Sequence, residues 1–318
     1  MRLEKLDEAS QLARARDSNP VGAVPLVVSG AATHAVVITG VKIDNSSLAD
    51  RMWRGSAPRL PFGEVDLAVE CLRVVTNAPT GYAQVFLRPV GWADQWTHAL
   101  PPVADVGLFH RYPASFDNYG WLKKTTLVSA DQLAALPGVV RSARNAGKTK
   151  EGKAARLALR RLSLAGLRDD DHDTLVDAWI GIEALLSNDN LEVNHKIALR
   201  GAAALATRSA EPLDPQKAFA MLKAVYRRRS DLVHGTGNDN KAVFDLGGRK
   251  FSTSALAVFL LRKLLLSRLT SDPAWSIQDL DDELLVSLTR GIADLAASPP
   301  EEAPAGNPDE DQQLLAAR

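Results

Sequence analysis

Cysteine is almost absent from this chain: Cys71 is the single one. An intramolecular disulfide is therefore excluded, and so is a zinc site built on several thiolates. A lone thiol of this kind reads as a small buried residue. Net charge is absent too, because 38 Lys and Arg balance 38 Asp and Glu. A surface for a polyanion must then be a local patch, not the field of the whole molecule. Long apolar runs are missing. The most apolar stretch, Ala255–Leu266, is interrupted by Arg262 and Lys263 and is too short to span a bilayer. The opening MRLEKLDEAS mixes both charge signs and lacks the apolar core of a secretory signal. No internal repeat is visible. These absences point to a cytoplasmic globular protein with no membrane partner.

What is present falls into two textures. The 318 residues suffice for two ordinary domains. Up to about Asn118 the chain is rich in β-branched and aromatic residues, with frequent Gly and Pro. Val24–Val28, Ala35–Ile43 and Tyr82–Val90 read as strands, the last with Pro89 near its end, where a lost donor is tolerated. Leu67–Val75 fits either a strand or a short helix. Trp53, Trp92, Trp96 and Trp121 lie in or just after this half.

From Ser129 the texture is helical. Ser129 and Gln132 have the spacing of a capping box. Leu175, Ala178, Trp179, Ile182, Leu185 and Leu186 form one helical face, and Asp169–Asp173 puts negative charge at its N-terminus. Another helix is predicted from Asp214 as N-cap and Pro215 in the first turn, with Gly235 as its stop. Ser254–Leu269 and Asp282–Ala297 supply two more, and the Pro-rich acidic tail from Ser298 reads as disordered. The expectation is an α+β chain. Residues 1–125 form a β-rich mixed domain that senses or regulates, 126–150 a basic helical linker, 151–297 an all-α bundle and 298–318 the tail.

Two basic segments could carry function. Arg141, Arg144, Lys148, Lys150, Lys153, Arg156, Arg160 and Arg161 fall within 21 residues, opposed only by Glu151. Such a run suits a phosphate backbone, and equally a solvated helix face. The second segment is Tyr226–Gly235, YRRRSDLVHG, with three arginines seven, six and five residues before His234. An imidazole can take the proton from a ribose 2′-hydroxyl, and a guanidinium can hold the phosphate and neutralise charge on its oxygens. Arginine suits this better than lysine because its planar fork meets two oxygens at once. The spacing alone says little. With 25 arginines and six histidines in the chain, chance supplies about one such match. Helix phase adds an independent signal. At about 100° per residue, Arg229 lies about 20° from Leu222, on the apolar face, whereas Arg227 and Arg228 point away from it. An arginine there needs a partner or a cleft, and Glu183 is the expected carboxylate. A metal enzyme is not expected. The nearest approach to a ligand set, Asp169–Asp173 with His172, is better explained as helix N-terminal charge.

The segments ALRRLSLAG (158–166), LVDAWIGIEALLS (175–187), HKIALRGAAAL (195–205) and VYRRRSDLVHG (225–235) resemble, in order and spacing, the helices of ApeA-like HEPN domains. The resemblance covers roughly residues 151–269 and implies a HEPN-like helical bundle. It further implies a metal-independent endoribonuclease without a cofactor, in which the 2′-hydroxyl attacks the adjacent phosphate. Arg229 and His234 would be the catalytic pair, and Glu183 would support the arginine from its ALEAL-like helix. Ser230 stands where many HEPN families have Asn, Asp or His, with Asp231 next. Asp231 and Tyr226 are weaker supporting positions, and Arg156, Arg160, Arg161 and Arg228 would contact RNA. A homodimer with a shared active-site cleft is implied, as is a role in abortive anti-phage defence or as a toxin, with a phage-derived trigger or an inhibitory partner. Two other readings of the same residues remain: a catalytically silent HEPN module that binds RNA or a partner protein, and a bundle used only for dimerisation.

Overall fold

The structure, a computed structural model, describes residues 2–17, 26–42, 60–88, 103–123, 126–188, 193–235, 243–246 and 248–297. Val24, Ile43, Pro89, Val90, Trp53, Trp92, Trp96 and the acidic tail lie outside them. Residues 1–277 make one compact unit and 278–318 a second. The fold is α+β, with small antiparallel strand pairs ahead of a helical bundle.

In the N-terminal part, β1 (Arg2–Lys5) pairs antiparallel with β2 (His34–Val37), with α1 (Glu8–Asp17) and α2 (Leu26–Ala31) between them in sequence. Then come α3 (Phe62–Thr76) and an antiparallel ribbon of β3 (Tyr82–Leu87) and β4 (Ala104–Arg111). A 3-10 turn (Ala114–Asn118) and α4 (Gly120–Lys123) follow. Val28, Ala83 and Tyr112 form a small core here, covered by Leu108, Phe116 and Trp121.

Two expected strands need correction. The described part of Val24–Val28 is helical, in α2. The reason lies outside that segment: buried Arg14 of α1 donates to the carbonyls of Ser29 (2.6 Å), Gly30 and Ala32 at the end of α2. Carbonyls at a helix C-terminus lack full intrahelical pairing, so the guanidinium stabilises the helix end. The second strand is shorter than Ala35–Ile43 and stops at Val37, ahead of Gly40 with its left-handed φ of +76°. The open segment Leu67–Val75 is helical, because Leu67, Ala68, Cys71, Val74 and Val75 recur on one face and are all buried.

The bundle consists of α5 (Ala130–Ala146), α6 (Lys150–Ala165), α7 (Asp171–Leu186), α8 (Val193–Thr207), α9 (Pro215–Val233) and α10 (Thr253–Thr270). A hairpin of β5 (Val243–Leu246) and β6 (Arg249–Ser252) precedes α10. Most of α11 (Ile277–Ala297) belongs to the second unit. The capping box forms in both directions: Ser129 Oγ accepts from Gln132 N–H, and Gln132 Oε1 accepts from Ser129 N–H. Asp214 caps α9 through Lys217 N–H at 2.8 Å.

The centre of the bundle is α10, which packs on α3 and on each of α5 to α9. Leu256, Ala257, Leu260, Leu261, Leu264 and Leu265 are buried around its circumference, as expected of a helix surrounded by others. Its two charged interruptions are placed by partners. Arg262 donates to the carbonyls of Val74 (2.7 Å) and Val75 (2.9 Å) at the end of α3, and Lys263 pairs with Glu211 at 2.9 Å. Arg262 thereby fastens the N-terminal part to the bundle. Close approach is permitted by Gly181 of α7, where an added Cβ would sit 2.6 Å from Leu261 Cδ2.

Candidate functional site

The arginine–histidine segment forms the last turns of α9. His234 is its C-cap, with φ −89° and ψ 2°, and its N–H donates to the Ser230 carbonyl at 3.0 Å. Gly235 follows with φ +67° and ends the helix as expected. The His234 side chain is exposed, while Arg229, Ser230 and Asp231 are half-buried. Arg229 Nε is sealed from solvent and has no hydrogen-bond partner.

Helix phase misplaced one arginine. Arg228, expected to point away from the apolar face, is buried at 3% exposure, whereas Arg227 is exposed. The buried face of α9 runs through Ala218, Met221, Leu222, Val225 and Arg228. Its midline is therefore rotated from Leu222 towards Met221, with Arg228 and Arg229 on opposite flanks. Arg228 Nη2 lies 3.4 Å from Nε2 of His172, on the first turn of α7. Asp171 of the same turn accepts a hydrogen bond from Ser254 Oγ of α10 at 2.7 Å. The C-terminus of α9 and the N-termini of α7 and α10 therefore meet at one end of the bundle. Cationic side chains at the negative end of α9 are favoured by its dipole.

Glu183 of α7 is half-buried, and no ion pair or hydrogen bond joins it to Arg229 in this chain. Tyr226 packs its ring on Trp179 of α7 with centroids 5.5 Å apart. The acidic run before α7 acts as a cap: Asp170 accepts from His172 and Asp173 N–H, both at 2.8 Å, and the Asp173 bond first of all lowers its carboxyl pKa. No cluster of His, Cys, Asp and Glu suited to a metal occurs among the described residues.

Three members of the basic run, Arg144, Arg156 and Arg161, form ion pairs within the molecule. Arg161 binds Asp177 of α7 at 2.7 Å, and Asp177 is 4% exposed. Arg144 pairs with Glu64 of α3. Arg156 stands 3.5 Å from Glu70 of α3. Arg160 is exposed. Arg156 and Arg160 line a cleft of about 220 Å³ with Asp66, Glu70, Arg73 and Arg111. Burial pushes the Glu70 carboxyl up to about 6 against the pull of Arg156, and lowers the Arg73 guanidinium to about 10. Burial also pushes the Cys71 thiol up to about 12, so it stays protonated and inert.

His172, read in the sequence only beside the helix N-terminal charge of Asp169–Asp173, stands next to Arg228, and Glu70 was not singled out by sequence. For Glu70 a signal existed: once Leu67–Val75 is helical, Asp66, Glu70 and Arg73 fall at i, i+4 and i+7 on one face. No helix among the described residues is long and apolar enough to cross a membrane. Comparison with protein-family models, curated proteins and solved structures gives no match to this chain.

Proposed function

We propose that this chain is a metal-independent endoribonuclease of the HEPN kind, with Arg229 as phosphate clamp and His234 as general acid/base. The observation that carries the reading is the pairing of opposites on one helix end. A guanidinium with an unpartnered, sealed Nε stands five residues before an imidazole open to solvent. The 2′-oxygen attacks phosphorus as its proton passes to His234, and the bond to the 5′-oxygen breaks as that oxygen gains a proton. The products are a 2′,3′-cyclic phosphate and a 5′-hydroxyl. Arg229 stabilises charge on the non-bridging oxygens. Ser230, Asp231, Tyr226 and Glu183 shape or support this end of α9. A second protomer completes the cleft, in a cytoplasmic protein of anti-phage defence whose trigger is phage-derived. Product analysis tests the chemistry: cyclic phosphate ends on cleaved RNA, and no cleavage of a 2′-O-methyl substrate, are expected. Products with 5′-phosphates would overturn it.

A second reading has one observation in its favour. Among the described residues no hydrogen bond orients the His234 ring, as none is needed in a silent RNA-binding module. That module would bind RNA equally well as wild type and as His234→Ala, with no cleavage to lose.

A further inference from the structure

Helix α11 carries an apolar stripe that is only partly covered among the described residues. Leu280 is buried and Leu284 half-buried, but Leu285 and Leu288 are 62% and 61% exposed. At about 100° per residue, Leu284, Leu285 and Leu288 share one face of the helix, and Val286 points away from it. Adjoining leucines on an open helix face form a surface suited to burial against another apolar surface.

Charge and symmetry decide what covers the stripe. Asp279, Asp281, Asp282 and Glu283 crowd the start of the helix. An anionic lipid surface repels such a helix. The chain's own tail is matched no better, because SPPEEAPAGNPDEDQQ is itself acidic and poor in large apolar residues. A second copy of α11 does match. Along the sequence, Ile277, Leu280 and Leu284 mirror Leu295, Ile292 and Leu288 about position 286. A pattern that is its own mirror image fits a copy running in the opposite direction, because under a two-fold axis residue i meets residue j and j meets i. The charges choose the same direction. A parallel pair would lay the four carboxylates of one copy against the same four of the other. An antiparallel pair sets position 281 opposite position 291, about 15 Å from its counterpart at the helical rise per residue. That exceeds the screening length of about 8 Å at physiological salt. The acidic half then lies beside a half whose Arg290 and Asp294 cancel.

We propose that α11 is a self-association helix: two copies of the chain pair antiparallel through Leu284, Leu285 and Leu288, with the two-fold axis near position 286. The contact is separate in sequence from Arg229 and His234 and requires no RNA cleavage.

Thiol crosslinking of the full chain with a short bis-maleimide tests it, because the native Cys71 is buried and inert. Leu285→Cys, beside the axis, is expected to give a linked dimer. Val286→Cys, on the opposite face, is expected to stay unlinked. Adding Leu288→Glu to Leu285→Cys should abolish the link with little change in melting, since position 288 is exposed. Three results would each overturn the pairing. They are no linked dimer from Leu285→Cys, as for a stripe covered by a different partner, equal linking through Val286→Cys, or linking that survives Leu288→Glu. A dimer linked through Gln278→Cys would overturn the antiparallel direction, which keeps those two positions about 24 Å apart. Light scattering on the same samples separates this contact from one at the end of α9: a dimer that Leu285→Cys fails to link is held elsewhere, and the α11 pairing falls.

Discussion

Two side chains five positions apart carry the proposed chemistry, and they differ in what surrounds them. His234 faces solvent and Arg229 is half-buried with a sealed nitrogen. Glu70 is the residue whose charge the fold resists most plainly, and its cost has a pH signature. The carboxyl rises from 4.5 to about 6, first through burial. A raised carboxyl stabilises the fold fully below the unfolded value, and that stability is lost as pH rises through the folded value. Stability should thus fall by about 2 kcal/mol at most between pH 4.5 and 6, and Glu70→Gln should flatten this step in urea titrations. An unchanged step in Glu70→Gln would assign it to another group. The arginine–histidine segment was legible in the sequence, and so was the end of its helix at Gly235. The burial of Arg228 was not. A phase argument places a side chain on a flank within tens of degrees, and whether a flank is covered depends on a neighbour. Here the neighbour is the first turn of α7, bearing His172. The cleft was illegible for a related reason, since Glu70 sits in the segment that period alone left between strand and helix.

Helix ends explain most of what elements do here. Ser129, Asp170, Asp214 and Ser252 cap four N-termini through side-chain oxygens, and two of those caps, Ser129 and Asp214, could be read directly from the residues. The C-termini are handled differently. Arg14 serves α2, Arg262 serves α3, and Arg200 donates to the Leu186 carbonyl of α7 at 2.9 Å. These pairings span 14 to 188 positions, so no local pattern announces them. The same long-range bonds made α2 a helix where its β-branched residues suggested a strand. The junction of α5 and α6 provides an element-scale test. An added Cβ at Gly152 would overlap the Ala146 carbonyl, and a backbone atom cannot swing aside. Gly152→Ala should therefore destabilise by about 2 kcal/mol or more despite its better helix propensity, read as a lower urea midpoint with unchanged slope. A neutral or stabilising result would mean that the two helices separate freely.

On the scale of the molecule, α10 gathers the bundle and Arg262 ties α3 to it, which places the cleft and the end of α9 within one compact unit. On the proposed function, a second copy of the chain completes the active site. Specific RNase activity should then fall on dilution through the range where light scattering shows dimer giving way to monomer. Constant specific activity across that range would leave each protomer with a complete site. The central claim is that His234 performs metal-free RNA cleavage, and the most direct measurement is incubation of total RNA with purified protein in excess EDTA, wild type beside His234→Ala. Cleavage by wild type should ignore the chelator and disappear in the variant, with both proteins melting alike because position 234 is exposed. Equal cleavage by both proteins, or none by the wild type, would contradict it.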